Sequence, residues 1–392
     1  MVTQRKPKAS KYLTTPTRPV QVDRDRSVAG LLEKMEGTGF GGRQLAEAHR
    51  IWLDMLGDNT TIMVAASGAL IPAGMRRLLA YVIKNRFVDV LVLSGSLLFH
   101  DLHETLGRYH FQAHPTMTDA ELESAQISRM WDLLASDEEY REAKEWIGGF
   151  TNQLDQTRSY SVREFLHLLG RELAEIASED GALTSAYKAR VPIFCPAIAD
   201  SGLAVGIAGA RFEKKNNFMF DVIQDVLDMM NVMINARVSG IINLGGGTTK
   251  SFIQQATLSS FMQKEHHHGH KYAIQISTDA PHPGGRSNAV SFDEGLVYGK
   301  LARMPRRELI TSGHWVYFVD MILPHLRLAG TYEKACRDYD LWEIDQRVSN
   351  YYYEITKRRF AHEVVPTRIF SGKGYLPFSA KADLRSSKYR WL

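Results

Sequence analysis

Short apolar segments alternate with amphipathic helical segments, and this alternation restricts the fold more than any other feature of the chain. The segments "TIMVAA" (61–66) and "VDVLVLSG" (88–95) predict buried strands, and "GMRRLLAYVIKN" (74–85) between them predicts an amphipathic helix. Repeated strand–helix–strand units of this kind form parallel βαβ motifs. We therefore predict an α/β fold, a doubly wound Rossmann-like and mainly parallel sheet with helices on both faces.

The same pattern continues along the chain. Further strands are predicted at 191–200, where the strand ends in an acid, at 239–244, at 270–278 and at 314–323. Helices are predicted from about residue 28, through 118–180, at 218–236, from about 251, and from the segment "DEGLVYGKLA". We predict three parts: a basic N-terminal arm (1–27), one main domain (28–330) and a basic aromatic C-terminal extension (331–392).

Charge is distributed unevenly between the ends and the body. The formal net charge of +4 combines +5 in residues 1–27, +7 in residues 357–392 and −8 in the rest. Short basic ends are usually solvated, so we predict no nucleic-acid binding, whereas the acidic body is compatible with a cationic substrate.

Cysteine content and hydropathy exclude other classes. Cys195 and Cys336 are the only cysteines, which excludes a disulfide framework and favours a reducing, cytoplasmic setting. No apolar segment has the length of a membrane span, and the basic N-terminus lacks the apolar core of a signal peptide.

Two motifs follow predicted strands and have two interpretations each. In "NLGGGTTK" the glycines stand between a strand and a helix, where backbone N–H groups can approach a phosphate, although a tight turn without a ligand has the same pattern. Asp200 ends a predicted strand, where an acid can hold a ribose hydroxyl or an amine, or can cap the next helix.

The segment "SLLFHDLHE" (96–104) follows the strand at 88–95. It places His100, Asp101 and His103 where they could line the same crevice, or could simply cap a helix. Both interpretations remain open from the residues alone.

Two polar clusters are predicted to have no binding role. Asp221, Asp225 and Asp228 share one helix face, which could hold a polyamine or a metal but is more typical of a solvated face. The tract "KEHHHGH" (264–270) has consecutive histidines, which cannot all reach one centre from regular structure, so we predict no metal site.

The segment "NAVSFDEGLVYGKL" (288–301) places Lys300 close to two acids and an aromatic ring. A lysine with apolar neighbours usually extends its ammonium group to solvent. A desolvated lysine has a lowered pKa and can act as a nucleophile that forms an imine.

Several segments together resemble the deoxyhypusine synthase family. They occur in the family's order: "FCPAIAD", "FDVIQDV", "GIINLGGGTTK", "KYAIQIST" and "DEGLVYGKL". The similarity covers roughly residues 60–325 and is closer to the bacterial deoxyhypusine-synthase-like branch, which is of the homospermidine synthase type.

The resemblance implies an NAD-dependent transferase of polyamine metabolism. Such an enzyme moves the 4-aminobutyl group of spermidine, through a lysine imine, to an amine acceptor. The acceptor is either the lysine of a translation factor, which would make a protein a partner, or a small diamine such as putrescine. The family also implies a homotetramer with active sites shared between paired subunits.

The resemblance assigns roles to individual residues. Lys300 matches the imine-forming lysine of the family. The expected contacts to the polyamine are Glu294, Tyr298, Ser251 and Asp101. The expected contacts to NAD are Ser94, His100, Asp200, Gly245, Gly246 and Thr278.

Some positions depart from the family pattern. Ser251 stands where a histidine is usual, Val205 replaces an acid, Tyr298 replaces a tryptophan, and Phe318 replaces another acid. These changes favour the same imine chemistry on a different set of amines. The alternative is a non-catalytic or repurposed subunit that supports a catalytic paralogue.

Overall fold

A computed structural model describes residues 14–21, 27–260, 269–277 and 301–310, with backbone only for 258–260 and 301–310. The helices in these residues are α1 Val28–Met35, α2 Phe40–Gly57, α3 Arg76–Lys84, α4 Gly95–Thr105, α5 Asp119–Ser124, α6 Asp137–Asn152, α7 Val162–Ile176, α8 Ala182–Ala189, α9 Gly202–Phe212, α10 Val222–Asn235 and α11 Thr248–Ser260. The strands are β1 Thr61–Ala66, β2 Val90–Leu93, β3 Phe111–Gln112, β4 Ile127–Met130, β5 Leu133–Ser136, β6 Ile193–Phe194, β7 Ser239–Leu244, β8 His270–Ile276 and β9 Leu301–Ile310.

The main sheet has six strands in the order β6-β2-β1-β7-β8-β9, and every neighbouring pair is parallel. β1 lies inside the sheet, with Ala65 opposite Val92 of β2 on one side and Asn243 of β7 on the other. The parallel α/β sheet predicted from the sequence is confirmed.

Side chains of β1 alternate between two separate cores. Ile62 and Val64 pack in a cluster that includes residues of α2, α3 and α4. Met63 and Ala65 pack on the opposite face, in a cluster with residues of α10 and α11. Helices therefore cover both faces of the sheet, as a buried parallel sheet requires.

The strand ends differ from the predictions by a few residues, and the differences affect the site. β2 ends at Leu93, so Ser94 is the N-cap of α4 instead of a strand residue. β6 ends at Phe194, and Asp200 therefore lies six residues beyond it, in the turn that precedes α9. α11 begins at Thr248, directly after the glycines.

The prediction of helices throughout 118–180 was wrong in one segment. β4 and β5 lie within it and form a small antiparallel sheet with β3. The chain reverses at Trp131, whose φ of 58° is incompatible with a continuous α-helix. The sequence "ISRMWDLLAS" contains no glycine or proline to mark this hairpin.

The ends of the predicted domains are only partly described. Residues 14–21 have no helix or strand, and the backbone N–H of Arg18 donates to the carbonyl of Gly37 at 2.6 Å. Residues 331–392 and the strand predicted at 314–323 lie outside the described residues. Leu301 and Ala302, predicted to be helical, are the first residues of β9, because pairing with β8 overrides the local helical pattern.

Membrane insertion is not indicated by the described helices. None of them combines the length and the apolar character that crossing a bilayer requires.

Candidate active site

The carboxyl ends of the central strands form the edge at which ligands bind in open α/β sheets. Ser94 N, just after β2, donates to Ala66 O at the end of β1, at 3.1 Å. Gly245 N, just after β7, donates to Ile276 O at the end of β8, at 2.8 Å. Residues after neighbouring strands thus lie side by side at one edge of the sheet.

The glycine turn between β7 and α11 is at this edge. Gly245 and Gly247 have φ angles of 83° and 75°, which a residue with a side chain adopts only under strain. Ser67, which follows β1, donates its hydroxyl to Gly246 O at 3.2 Å. The turn leads directly into α11, so its backbone lies at a helix N-terminus, where an anion is favoured.

A buried lysine supports the glycine turn from within the protein. Lys250 is only 2% exposed, and its Nζ donates to Gln275 Oε1 on β8 at 2.6 Å. Gln275 Nε2 in turn donates to Gly245 O at 3.3 Å. Sequence reasoning missed both side chains. The position of Gln275 between two isoleucines in β8 was a usable signal.

The structure excludes one of the two interpretations of Asp200. Ser201 is the N-cap of α9, and its hydroxyl accepts from Ala204 N at 3.2 Å. Asp200, the residue before the cap, is exposed, and its contact to a ligand stays a prediction. A Cβ placed on Gly95 would lie 2.4 Å from Ser201 Cβ, so α4 and α9 begin in direct contact. Asp200 and Ser94 thus lie close together at the carboxyl ends of the strands, where open α/β sheets have their binding crevice.

Asp101 is placed where it does not face this crevice. Its carboxylate is fully buried and accepts from Ala182 N and Leu183 N, both at 2.9 Å, at the start of α8. Arg76 lies on its other side, with Nε 3.4 Å from Oδ1. The expected contact of Asp101 with the polyamine is corrected here, because both carboxylate oxygens accept hydrogen bonds from N–H groups of α8. Asp101 caps that helix.

His100 belongs to a buried group of rings. Its Nδ1 lies 3.1 Å from His110 Nε2 and 3.4 Å from the hydroxyl of Tyr140 on α6. Burial, and then the neighbouring His110 and His103, lower the pKa of His100 to about 3, so the ring is neutral near pH 7.

The acidic row of α10 is not a solvated face, and that prediction was wrong. Asp225 accepts from Val162 N at 2.8 Å and from Arg163 N at 2.9 Å, at the start of α7. Asp228 pairs with Arg163 Nε at 2.7 Å, and Asp221 caps α10 through Gln224 N at 3.1 Å. Asp225 and Asp228 are each 3% exposed, and burial raises the pKa of Asp225 to about 7.

The apolar residues of α10 differ in burial along the helix. Met230 and Met233 are buried, but Val222 is 48% and Ile223 is 65% exposed in the first turn. The helix buries its acids because α7 offers them N–H groups and a guanidinium.

The other predicted site residues are only partly visible. Ser251 lies half-buried in the first turn of α11, four residues after Gly247. Thr278, Glu294, Tyr298 and Lys300 lie outside the described residues, and their roles stay predictions.

The part of the chain that the structure describes contains no group of three or more His, Cys, Asp or Glu side chains suited to a metal ion. His270, the last residue of the histidine tract, is buried between the hydroxyls of Ser239 and Thr257, at 2.9 and 3.3 Å.

Comparison with known proteins agrees with this architecture. The family model for deoxyhypusine synthase matches residues 30–312. "Probable deoxyhypusine synthase 2" of Methanosarcina mazei is 40% identical over 298 residues, which are 76% of this chain and 85% of that protein.

A bacterial relative and a solved structure are also similar to this chain. The "Deoxyhypusine synthase-like protein" of Coxiella burnetii is 30% identical over 276 residues, 69% of this chain and 78% of that protein. A crystal structure of an Entamoeba histolytica protein described as a deoxyhypusine synthase has a TM-score of 0.53 at 16% identity. It aligns with 78% of this chain and 96% of its own, which supports the fold.

These matches correct one detail of the resemblance. The archaeal relative is more similar to this chain than the bacterial one, so the similarity is not specific to the bacterial branch. The extent of the family match and the archaeal identity together show that the chain belongs to the deoxyhypusine synthase family.

Proposed function

We propose that this protein is an NAD-dependent aminobutyltransferase that moves the 4-aminobutyl group of spermidine to an amine acceptor through an imine on Lys300. Family membership supports the proposal. The observation that carries it is the glycine turn with positive φ angles at the N-terminus of α11, at the same edge of the sheet as Ser94 and Asp200.

The described residues fit a dinucleotide. Gly245 and Gly246 offer backbone without side chains at a helix N-terminus, which suits a pyrophosphate. Asp200 is an exposed acid at the same edge, which suits a ribose hydroxyl. When bound, NAD would take a hydride from the donor amine and return it after transfer.

The chain's own residues would bind the polyamine and transfer its aminobutyl group. We expect Lys300 to attack the oxidised carbon of the donor and to hold the aminobutyl group as an imine, while diaminopropane leaves. The acceptor amine would then displace Lys300. Glu294 would hold a cationic nitrogen of the polyamine, and the ring of Tyr298 would add a cation–π contact.

Two departures from the family pattern bear on the amines. Val205 is 55% exposed on α9, and Ser251 is half-buried on α11. Because both side chains are uncharged, neither position supplies the charged contact usual in the family. We propose that the amine set is changed accordingly, with the acceptor either a free diamine such as putrescine or a lysine of a translation factor.

A second candidate function follows from the same exposed Val205. A valine at the position of an acid fits a non-catalytic subunit that supports a catalytic paralogue. This candidate predicts no turnover by the protein alone and turnover after mixing with the paralogue.

We also propose a homotetramer in which paired subunits share active sites. Phe212 at the end of α9 is 90% exposed, and Met219 and Ile223 nearby are 53% and 65% exposed. Phe212 and Met219 line the same open apolar pocket, together with Ala208 and Phe220, and exposed apolar surfaces of this kind mark interfaces between proteins.

The test is one incubation of purified protein with NAD and spermidine, with and without putrescine, followed by amine analysis. Diaminopropane with homospermidine would support transfer to a diamine, and diaminopropane alone would indicate cleavage with a missing acceptor. Unchanged spermidine would refute the proposal for this donor.

Two lysine variants locate the chemistry. Lys300→Arg should abolish transfer and leave NAD binding intact. Lys271→Arg is the matched control, because Lys271 is half exposed and its Nζ pairs with Asp58 at 2.6 Å, away from the glycine turn. Full transfer by Lys300→Arg would exclude the imine mechanism.

A further inference from the structure

A cluster of aromatic rings surrounds His100 on the side of α4. His100, His103, His110 and Tyr140 pack with ring centroids 4.8 to 6.3 Å apart. His100 is 8% and His103 is 0% exposed. Such a dense group of polar rings in a buried position requires a defined arrangement of protons.

A chain of hydrogen bonds runs from a carboxylate to His100. Glu104 Oε1 lies 2.8 Å from His110 Nδ1, and His110 Nε2 lies 3.1 Å from His100 Nδ1. The hydroxyl of Tyr140 is 3.3 Å from the same His110 Nε2. Both nitrogens of His110 and the Nδ1 of His100 therefore each have a defined neighbour.

The chemistry of these groups sets the direction of the chain. An ionised carboxylate only accepts, so His110 Nδ1 must carry the proton and donate to Glu104. In the Nδ1–H tautomer of this ring, His110 Nε2 is left as an acceptor. His100 Nδ1 must then be the donor at 3.1 Å, and the lone pair of His100 is at Nε2.

The turn of α4 that carries His100 lies beside the crevice. Phe99, its neighbour, packs on Gly202 at the start of α9, where an added Cβ would lie 2.6 Å from the ring. Asp200 is exposed just before this start, and helical side chains lean toward the N-terminus of their helix. Among the described residues, His100 Nε2 has no hydrogen-bond partner, whereas Nδ1 is engaged.

We propose that Glu104 and His110 are positioning residues that hold His100 as its Nδ1–H tautomer and leave Nε2 as an acceptor toward the crevice. The group that His100 takes is then an O–H or N–H donor, such as a ribose hydroxyl or an amine. Phosphate and carboxylate oxygens are excluded as its partners. The identity of the ligand rests on the proposed function, whereas the tautomer rests on the contacts alone.

The experiment compares the wild type with three variants labelled with ¹⁵N in histidine. Glu104→Met removes the acceptor, Glu104→Gln keeps an acceptor oxygen, and Glu142→Met is the matched control. Glu142 is an exposed glutamate that pairs with Arg108 at 2.8 Å, outside the chain of hydrogen bonds. Long-range ¹H–¹⁵N spectra report the tautomer of each histidine, and calorimetry reports NAD binding.

We expect His100 to be the Nδ1–H tautomer in the wild type, in Glu104→Gln and in Glu142→Met, and a mixture of tautomers in Glu104→Met. The Kd for NAD should rise in Glu104→Met alone, by about twofold for an equal mixture, because only the molecules that keep the Nδ1–H tautomer can accept the ligand's hydrogen bond. Glu104→Gln should restore both the tautomer and the affinity.

Two results would overturn the inference. One is the Nε2–H tautomer in the wild type, which a charged His110 donating from both nitrogens would produce. The other is an unchanged tautomer in Glu104→Met. A wild type that shows the Nδ1–H tautomer but does not bind NAD would refute the cofactor in the proposed function and leave the positioning role of Glu104 supported.

Discussion

Replacing Asp101 with alanine should destabilise the fold rather than remove a substrate contact. Its carboxylate supplies the acceptors for the N–H groups of Ala182 and Leu183, because the N-cap of α8 is Gly181, which has no side chain to do so. A Cβ on Gly181 would lie 2.2 Å from Asp101 Oδ1, so the two residues are fitted to each other.

The magnitude follows from what the substitution leaves behind. Each buried N–H without an acceptor costs roughly 1–3 kcal/mol. Arg76, which is 7% exposed and lies 3.4 Å from the carboxylate, would lose the nearest of its charge partners and keep Glu104 and Glu179, both at 3.9 Å; breaking a buried pair costs roughly 3–5 kcal/mol. Because the same carboxylate serves both, these costs overlap, and we expect a loss of about 4 kcal/mol in the free energy of unfolding.

Thermal unfolding measures this loss. With an unfolding entropy of about 2.1 cal/mol/K per residue, the melting temperature of Asp101→Ala should fall by about 5 °C. Asp119→Ala is the control, since Asp119 is exposed and pairs with Arg129 at 2.8 Å on the surface; its change should stay within about 0.5 kcal/mol. Asp101→Asn, which keeps one acceptor, should lie between the two.

One outcome would refute this reasoning. If Asp101→Ala melted like the wild type but no longer bound spermidine, the carboxylate would contact the polyamine, as the family resemblance suggests. A folded Asp101→Ala protein with a lowered melting temperature and normal spermidine binding would establish the structural role.

Three more predictions concern stability, assembly and the glycine turn. Burial raises the pKa of Asp225 to about 7, from about 3.9 in an unfolded chain, so the folded state holds this proton more tightly; the contribution of this carboxyl group to the free energy of unfolding should be fully present below about pH 4 and be lost as the pH rises through 7, and in urea titrations the difference between the wild type and Asp225→Asn should change across that range. Phe212→Asp should dissociate the oligomer in light scattering, because a charge in the exposed apolar surface opposes its burial; an unchanged mass would exclude this surface from assembly. Gly247→Ala, at a φ of 75°, should cost roughly 1–2 kcal/mol and weaken NAD binding, whereas Gly209→Ala, with open space around it in α9, should not; equal binding by both would count against the turn as a nucleotide site.

Much of the main sheet could be predicted from the sequence. β1, β2, β7 and β8 are short, largely apolar segments bounded by polar or glycine residues. Short segments that are apolar on both faces are typical of strands in a buried parallel sheet. The β4–β5 hairpin could not be predicted, because its turn at Trp131 lacks glycine, proline and asparagine and its strands are mostly not buried.

The site was less predictable because charged side chains were judged by their own helix alone. The three acids of α10 were judged on a helical projection, which has no information about α7. Arg163 and the first N–H groups of α7 lie more than sixty residues earlier in the chain, and they are what makes burial of Asp225 and Asp228 favourable. The partner element decides whether an acid faces water, and periodicity does not identify that partner.

Asp101 and Asp200 show how a cap elsewhere in the chain determines the role of an acid. Both follow strands, and each could have contacted a ligand or capped a helix. Ser201 caps α9 with its own hydroxyl, which leaves Asp200 exposed at the crevice. Gly181 has no side chain that could cap α8, so the Asp101 carboxylate accepts from the first N–H groups of α8 and does not face the crevice. In these two cases, the serine directly after Asp200 leaves that acid available to a ligand, whereas the start of α8 after Gly181 is satisfied by an acceptor from α4.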